Sequence, residues 1–421
     1  MRVERVAGLG QAPSVLRALA SATTLRGLPP PAALTGDWFG SHAVIVPSVA
    51  IEPVSVGDVF DTAPGTSGDE VGGGWIGYLS YPDAGADGAG PRIPEAAGGW
   101  TDDVLRQDAN GTWWYESLSG NPAPSWLADA LSAEPPATSS RVEWGSADHD
   151  AHQAGVQACL DAIAAGDVYQ ACVCTQFVGV VTGAPVDFFA EAVTRTAPAR
   201  AAFVAGDWGA VASLSPELFL RRVGDRVDSS PIKGTLPIDE SPSALRASVK
   251  DVAENIMIVD LVRNDLGRVA VTGSVTVPEL LAVRPAPGVW HLVSTVSARV
   301  DTTVPMSAVL DATFPPASVT GTPKARAREL LQTWEPVRRG IYCGTVGLAS
   351  PVAGTELNVA IRTVEFDGTG RAVLGVGGGI TADSDLHAEW RECLHKAAPT
   401  IGATALHDNV RRGSRPAVRV R

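Results

Sequence analysis

Two pairs of acidic residues stand three positions apart in this chain: Asp251 and Glu254 in KDVAENIMIVDLVRND, and Glu389 and Glu392 in HAEWRECLHK. On a helix such positions share a face, and like charges there repel by a few tenths of a kcal/mol. A hard dication bound through carboxylates, waters and a substrate oxygen would remove that repulsion. Taken alone, each pair is more often a solvated patch of an acidic protein. Lys233, in SSPIKGTLP, lies between Pro231 and Gly234, which fix the backbone around it. A lysine becomes a nucleophile when burial or a nearby cation lowers its pKa, although most loop lysines are simply solvated.

Other residues gain meaning from their surroundings. Glu217, in LSPELFL, sits where a polar turn runs into an apolar strand. That setting can raise a carboxyl pKa and suit a general acid, or it can merely place a cap at the surface. Arg362 in LNVAIRTV and His291 in VWHLVST interrupt apolar runs. A buried arginine needs a carboxylate or similar partner, whereas such a histidine is more often a satisfied core residue. In LGVGGGITADSD, Gly375, Gly377, Gly378 and Gly379 follow a strand-like run and would let backbone N–H groups approach an anion. Their spacing is wrong for a dinucleotide loop and no βαβ unit surrounds them, so a carboxylate-binding turn is the preferred reading.

The elements that must position these groups are legible in outline. DHDAHQAGVQACLDAIAAG, from Asp148 to Gly166, predicts an amphipathic helix closed by a glycine. Further helices are expected near 242–266, 323–333 and 385–398. VYQACVCTQFVGVV, AAFVAGDWGAVAS and LFLRRVGDRVD read as strands separated by turn residues. Without a regular βαβ rhythm, an α+β architecture with large antiparallel sheets fits better than a doubly wound parallel one. Residues 82–99 and 119–140 read as connectors, and the second marks a boundary. The expected organisation is an N-terminal segment over 1–140, a catalytic region over 141–403 and a disordered basic tail over 404–421.

Bulk composition excludes several classes. The chain has 421 residues, 45% of them hydrophobic and 19% charged, as in an ordinary soluble globular protein. No apolar run approaches a membrane span. The opening MRVERVAGLG has early charges and no secretory pattern, so a cytoplasmic protein is expected. A net charge of −13 disfavours nucleic acid as a partner. Five scattered cysteines with no CxxC pair argue against a disulfide framework and a zinc site.

Taken together, PIKGT, DVAENIMIVDLVRND, FPPASVTGTPKARA, RRGIYCGTVG, LNVAIRT and GGGITADSD, followed by EWREC and KA, occur in the order seen in chorismate-binding enzymes. The sequence resembles that family, which includes anthranilate synthase component I, isochorismate and salicylate synthases, and aminodeoxychorismate synthase component I. The resemblance covers roughly residues 147–400, and the first 140 residues match only loosely, through GGGWIGYLSY.

The resemblance implies two large antiparallel sheets packed on each other with flanking helices, the N-terminal segment adding strands and the site lying in a cleft between the sheets. It implies that Glu254 and Glu392 hold Mg2+ against a substrate carboxylate, with Asp251 and Glu389 as supporting acids. Asp251 stands where relatives often carry Glu. Glu217 would protonate the departing C4 hydroxyl of chorismate. Arg362 and Tyr342 would contact the enolpyruvyl carboxylate, with backbone N–H groups near Gly377 and Gly379, and Ser318 and His291 would line the pocket. Relatives that add water carry a lysine base where this chain has Gln170. Most of the family has alanine where this chain has Lys233, but the aminodeoxychorismate branch has lysine there, which implies a covalent nucleophile in 4-amino-4-deoxychorismate formation. That branch commonly has an arginine shortly after PIKGT, where this chain has Ile238. A separate glutamine amidotransferase would deliver ammonia. The alternatives are C2 amination with pyruvate elimination, as in anthranilate synthase component I, and a non-catalytic relative that only binds chorismate.

Overall fold

The structure is a computed structural model that describes residues 1–65, 70–83, 90–133 and 138–402. The basic tail expected over 404–421 lies outside the described residues.

Alternation along the strands sorts apolar side chains onto two faces, and two antiparallel sheets result. The first, of twelve strands, runs from Arg2–Val6 through Trp113–Ser117, Asp103–Asp108, Ser41–Val46 and Ala32–Trp38. It continues through Arg200–Gly206, Gly209–Ser215, Thr363–Asp367 and Arg371–Ile380 to Gln170–Thr182, whose other partners are Gly321–Thr322 and Arg141–Trp144. The second, of ten strands, runs from Ile232–Pro237 through Val289–Arg299, Arg226–Ser230, Leu218–Val223, Gly354–Asn358 and Thr345–Ser350 to Gly74–Leu79, Ala96–Thr101 and Glu52–Pro53, with Thr276–Ala286 paired to Val289–Arg299. Strands from the first 140 residues therefore enter both sheets.

The two sheets share a core. Leu34, Val44, Val204 and Val211 of the first meet Ile76, Tyr78, Val346 and Leu348 of the second. Their strand neighbours Ala33, Ile45, Phe203 and Ala212 point the other way, onto helices that cover the outer face. The helix Val249–Gly267 buries Ile258, Val259 and Val262 in a further core with Val227 and Val296 of the second sheet. Asn255 fixes it there, its Nδ2 donating to Leu292 O at 3.2 Å and its Oδ1 accepting from Ser294 Oγ at 2.6 Å.

Local signals account for the helix ends. Asp148 caps His149–Ala165 by accepting from the Ala151 N–H, and Gly166 closes it in the left-handed conformation. Lys324–Trp334 and Leu386–Ile401 occupy two more of the expected stretches, the latter capped by Asp385. The expected 242–266 helix is broken instead. Ser248 takes an extended conformation after the short helix Ser243–Ala247, and its hydroxyl accepts from the Asp251 N–H, so a new helix starts there. Within the connector read over 82–99, a strand begins at Ala96. All five cysteines are free and buried. No described helix is long and apolar enough to cross a membrane.

Polar groups also join the sheets. Asn358, fully buried in the second sheet, donates from Nδ2 to Arg200 O at 2.9 Å and to Ser213 Oγ at 3.1 Å in the first. Its Oδ1 accepts from the Val346 N–H at 3.0 Å. Arg200 reaches across to Glu356 in the same seam. Because a buried polar group left without its partner loses the full desolvation free energy, Asn358→Ala should lower stability by about 2–4 kcal/mol. Urea denaturation at matched m-value checks this; a change near zero would show that the seam does not hold the sheets.

Candidate active site

The first sheet contributes the glycine strand Arg371–Ile380 and, hydrogen-bonded beside it, Gln170–Thr182. Glycine is required here by close approach. A Cβ at Gly378 would stand 2.9 Å from Glu389 Oε2 and 3.7 Å from Glu392 Oε1. One at Gly379 would stand 2.5 Å from Gln170 Nε2 and 3.5 Å from Lys233 Nζ. The bare strand thus forms a floor against which both halves of the predicted site close. Gly377 presents its carbonyl, which accepts from Lys396 Nζ at 2.8 Å.

The second sheet supplies Lys233 and Glu217. Lys233 lies on Ile232–Pro237 and donates from Nζ to Ser318 O at 3.1 Å. Gly234, with φ of 84°, turns the chain beside Asp251, whose Cβ would lie 3.1 Å from any Cβ added there. Glu217 immediately precedes the strand Leu218–Val223, and its carbonyl accepts from the Val359 N–H. Only 3% of it is exposed. Burial pushes its carboxyl up to about 7, while the Ser318 hydroxyl and the Lys233 ammonium pull it back. The sheet therefore produces a carboxyl that is still partly protonated near neutrality.

Arg362 and His291 meet at the same place. Arg362 takes a positive φ of 52° between two strands, and burial lowers the pKa of its guanidinium against the pull of Glu217. His291 pairs through Nδ1 with Thr235 Oγ1 at 3.0 Å. Burial, with Arg362 close by, pushes it down to about 4, so it is neutral at pH 7. Tyr342 is buried, and a Cβ at Gly375 would stand 2.2 Å from its ring. Burial raises its phenol well above the ordinary value. Gln170 is 1% exposed, and its Oε1 has no hydrogen-bond partner.

Two helices bring the acidic residues together. Glu254 projects from Val249–Gly267, and Glu389 and Glu392 from Leu386–Ile401. Burial raises Glu254 above its usual value, with Lys233 and Lys250 opposing. Burial also works against the charge on Glu392, but Lys396, at 2.7 Å, wins and holds its carboxyl below the usual range. Glu389 accepts from Ser384 Oγ at 2.7 Å through Oε1, while its buried Oε2 has no partner. Asp251 stays near the helix start, beside Gly234. Lys250 reaches Glu254 Oε1 at 3.9 Å and Glu389 Oε1 at 3.6 Å. Among the described residues, no three His, Cys, Asp or Glu side chains form a ready-made metal cage. Two or three acids with an orphaned oxygen suit a hard dication that keeps waters and takes further oxygens from a ligand.

The sequence reading did not single out Lys250, Lys396 or Ser384 as site residues. The two lysines could have been found from spacing, since each lies four residues from an acid on its own helix, Lys250 before Glu254 and Lys396 after Glu392.

A buried acid, a lysine, a neutral histidine and acids carried on two helices thus come together beside the glycine strand. A sequence profile of the chorismate binding enzyme family matches residues 55–402, and the chain belongs to that family. Aminodeoxychorismate synthase component 1 of Salmonella typhimurium is 39% identical over 289 residues, 67% of this chain and 62% of that protein. The Escherichia coli protein of the same name is 41% identical over 238 residues, 55% of this chain and 52% of the relative. This chain therefore matches about half to three-fifths of those relatives' length. Anthranilate synthase component I from Streptococcus pneumoniae has the same fold, with a TM-score of 0.71 and 24% identity over 89% of this chain and 90% of that one. The menaquinone-specific isochorismate synthase from Escherichia coli gives 0.69 and 17% over 96% and 94%.

Glu217 sets a pH dependence. Its folded pKa lies above the unfolded value of 4.5, so the folded state binds the proton more tightly between those two points. The associated stability is complete below pH 4.5 and is lost as pH rises through about 7, a loss of about 3 kcal/mol that Glu217→Gln should abolish. Infrared difference spectra should show a protonated carboxyl band that disappears with a midpoint near pH 7 and is missing in the Gln variant. A band already lost at pH 5 would mean the carboxyl is ionised.

Proposed function

We propose that the chain is the aminating component of aminodeoxychorismate synthase, converting chorismate and ammonia to 4-amino-4-deoxychorismate and water. The observation that carries this reading is Lys233, whose amine stands among the site groups with the buried Glu217 beside it. The relatives named aminodeoxychorismate synthase component 1 support the same branch.

The groups divide the labour. The free amine of Lys233 forms a bond to C2 of the ring. The two ring double bonds shift towards C4, and the C–O bond at C4 breaks. Glu217, kept protonated by burial, gives its proton to the departing hydroxyl, which leaves as water. Ammonia then bonds to C4 through its lone pair, the double bonds shift back, the C2–N bond breaks with its electrons returning to Lys233 as the free amine, and the ammonium formed at C4 gives a proton back to the Glu217 carboxylate. Splitting the substitution in this way lets nitrogen replace oxygen at C4 with retention. Gln170 cannot deprotonate water as a lysine base would, which favours ammonia over water as nucleophile. Arg362, Tyr342 and the N–H groups near Gly377 and Gly379 would orient the enolpyruvyl carboxylate, and Ser318 and His291 would line the pocket.

Glu254 and Glu392 would hold Mg2+, with Asp251 and Glu389 in support. The buried, unpartnered Oε2 of Glu389 and the small number of acids fit an ion that takes its remaining oxygens from water and substrate. Bound there, Mg2+ would neutralise the ring carboxylate and draw electron density from the diene. The word component in the relatives' names supports a partner subunit, for which a glutamine amidotransferase supplying ammonia is the expected chemistry. A cytoplasmic location belongs to the same reading.

Product analysis by mass spectrometry tests it. The chain, chorismate, Mg2+ and concentrated ammonium should give a product that an aminodeoxychorismate lyase turns into 4-aminobenzoate. Lys233→Ala should lower that product by at least about a hundredfold, the scale of a lost covalent nucleophile. Fluorescent anthranilate formed without the lyase would favour C2 amination instead, and no turnover with retained chorismate binding would point to a non-catalytic relative.

A further inference from the structure

Lys250 sits at the start of the Val249–Gly267 helix, one turn before Glu254. Its ammonium bridges the two acidic helices, 3.9 Å from Glu254 Oε1 and 3.6 Å from Glu389 Oε1. Charge-assisted hydrogen bonds are usually about 2.7–2.9 Å long, so both contacts are loose. Its side chain is 49% exposed. Lys396 is held quite differently, at 2.7 Å from Glu392 and anchored as well to the Gly377 carbonyl. One lysine is built into the floor of the site, and the other is a counter-ion on a flexible stem.

We propose that Lys250 is an internal placeholder for the dication. In the metal-free protein its ammonium screens Glu254 from Glu389; when the dication enters, the ammonium is expelled to solvent. The inference rests on the dication reading given above. A dication that draws these oxygens into its coordination shell takes the lone pairs on which the ammonium depends, and it repels a cation beside it. The exposed stem of Lys250 gives the expelled ammonium a route to water, and its two loose contacts give it less to lose than Lys396, which grips Glu392 at 2.7 Å and the Gly377 carbonyl at 2.8 Å. The exchange also explains how carboxylates carried on two helices can face one another before any metal is present, since like charges so placed repel. The device sets the affinity: metal binding must first break the ammonium contacts, so the protein holds its dication less tightly than the carboxylates alone would.

The test uses the full chain, Mn2+ as a paramagnetic probe whose free signal is counted by electron paramagnetic resonance, and melting curves with and without saturating Mg2+. Lys250→Met should bind Mn2+ roughly five- to tenfold more tightly than the wild type, a modest factor because a half-exposed ion pair is screened. Lys250→Arg, which keeps the charge and adds a fork able to grip both carboxylates, should bind it no more tightly than wild type. Lys250→Met should also melt below wild type without metal, and the deficit should vanish with saturating Mg2+. Wild-type binding with an unchanged or weaker Met variant would overturn the placeholder role while leaving the dication reading intact. A melting deficit of equal size in both states would overturn the expulsion of Lys250. If no variant binds Mn2+, the dication reading fails and the placeholder falls with it.

Discussion

Three carboxylates, Glu254, Glu389 and Glu392, approach one another from two different helices, and charges of one sign so placed repel unless cations stand among them. Lys396 and Lys250 are cations that stand among them. The requirement reaches beyond the acids themselves. Lys396 must be close enough to Glu392 to offset its own burial, and the Gly377 carbonyl anchors it from the strand. The glycines at 378 and 379 leave room for Glu389, Glu392 and Lys233 to come close to the strand. A methyl group at Gly378 would push directly on Glu389.

The second wall of the site treats a carboxyl in the opposite way. Glu217 lies between the sheets with a hydroxyl and more distant cations for company, and burial outweighs them. Glu392, with an ammonium in direct contact, stays ionised. Neighbouring carboxyls are therefore pushed in opposite directions, Glu217 up by burial and Glu392 down by an ammonium, so they differ in how readily they hold a proton at one pH. Packing of the sheets makes this possible. Asn358, in the polar seam between them, immediately precedes Val359, whose N–H bonds to the Glu217 carbonyl. The groups that fix the distance between the sheets therefore also fix the depth of the acid.

What could be read in the sequence followed from how local each signal is. The helix from His149 to Ala165 announced itself through Asp148 at one end and Gly166 at the other. The two acidic pairs were visible because i and i+3 is a fixed relation on a helix. The break at Ser248 was missed because an uninterrupted polar and apolar pattern hid a serine that caps a new helix. Asn358 was passed over inside LNVAIRTV because its partners, Arg200, Ser213 and Val346, are set by sheet packing. The depth of Glu217 likewise depends on which face of a distant strand covers it. The motifs named residues that the structure brings close to one another, and the structure adds the electrostatics around them, such as the burial that raises Glu217 and the ammonium that lowers Glu392.

That electrostatic view bears on why an added lysine can be accommodated at position 233. Its ammonium lies near enough to Glu254 and Glu392 to favour their charged forms and near enough to Glu217 to oppose its neutrality. A cation there supports the acidic helices but works against the general acid, so burial of Glu217 has to exceed the effect of Lys233 for both to operate. The raised pKa of Glu217 shows that it does. The two groups proposed for the first step are therefore coupled through space: the charge of Lys233 pulls against the neutral form of Glu217, and the depth at which the sheet holds that carboxyl decides the balance.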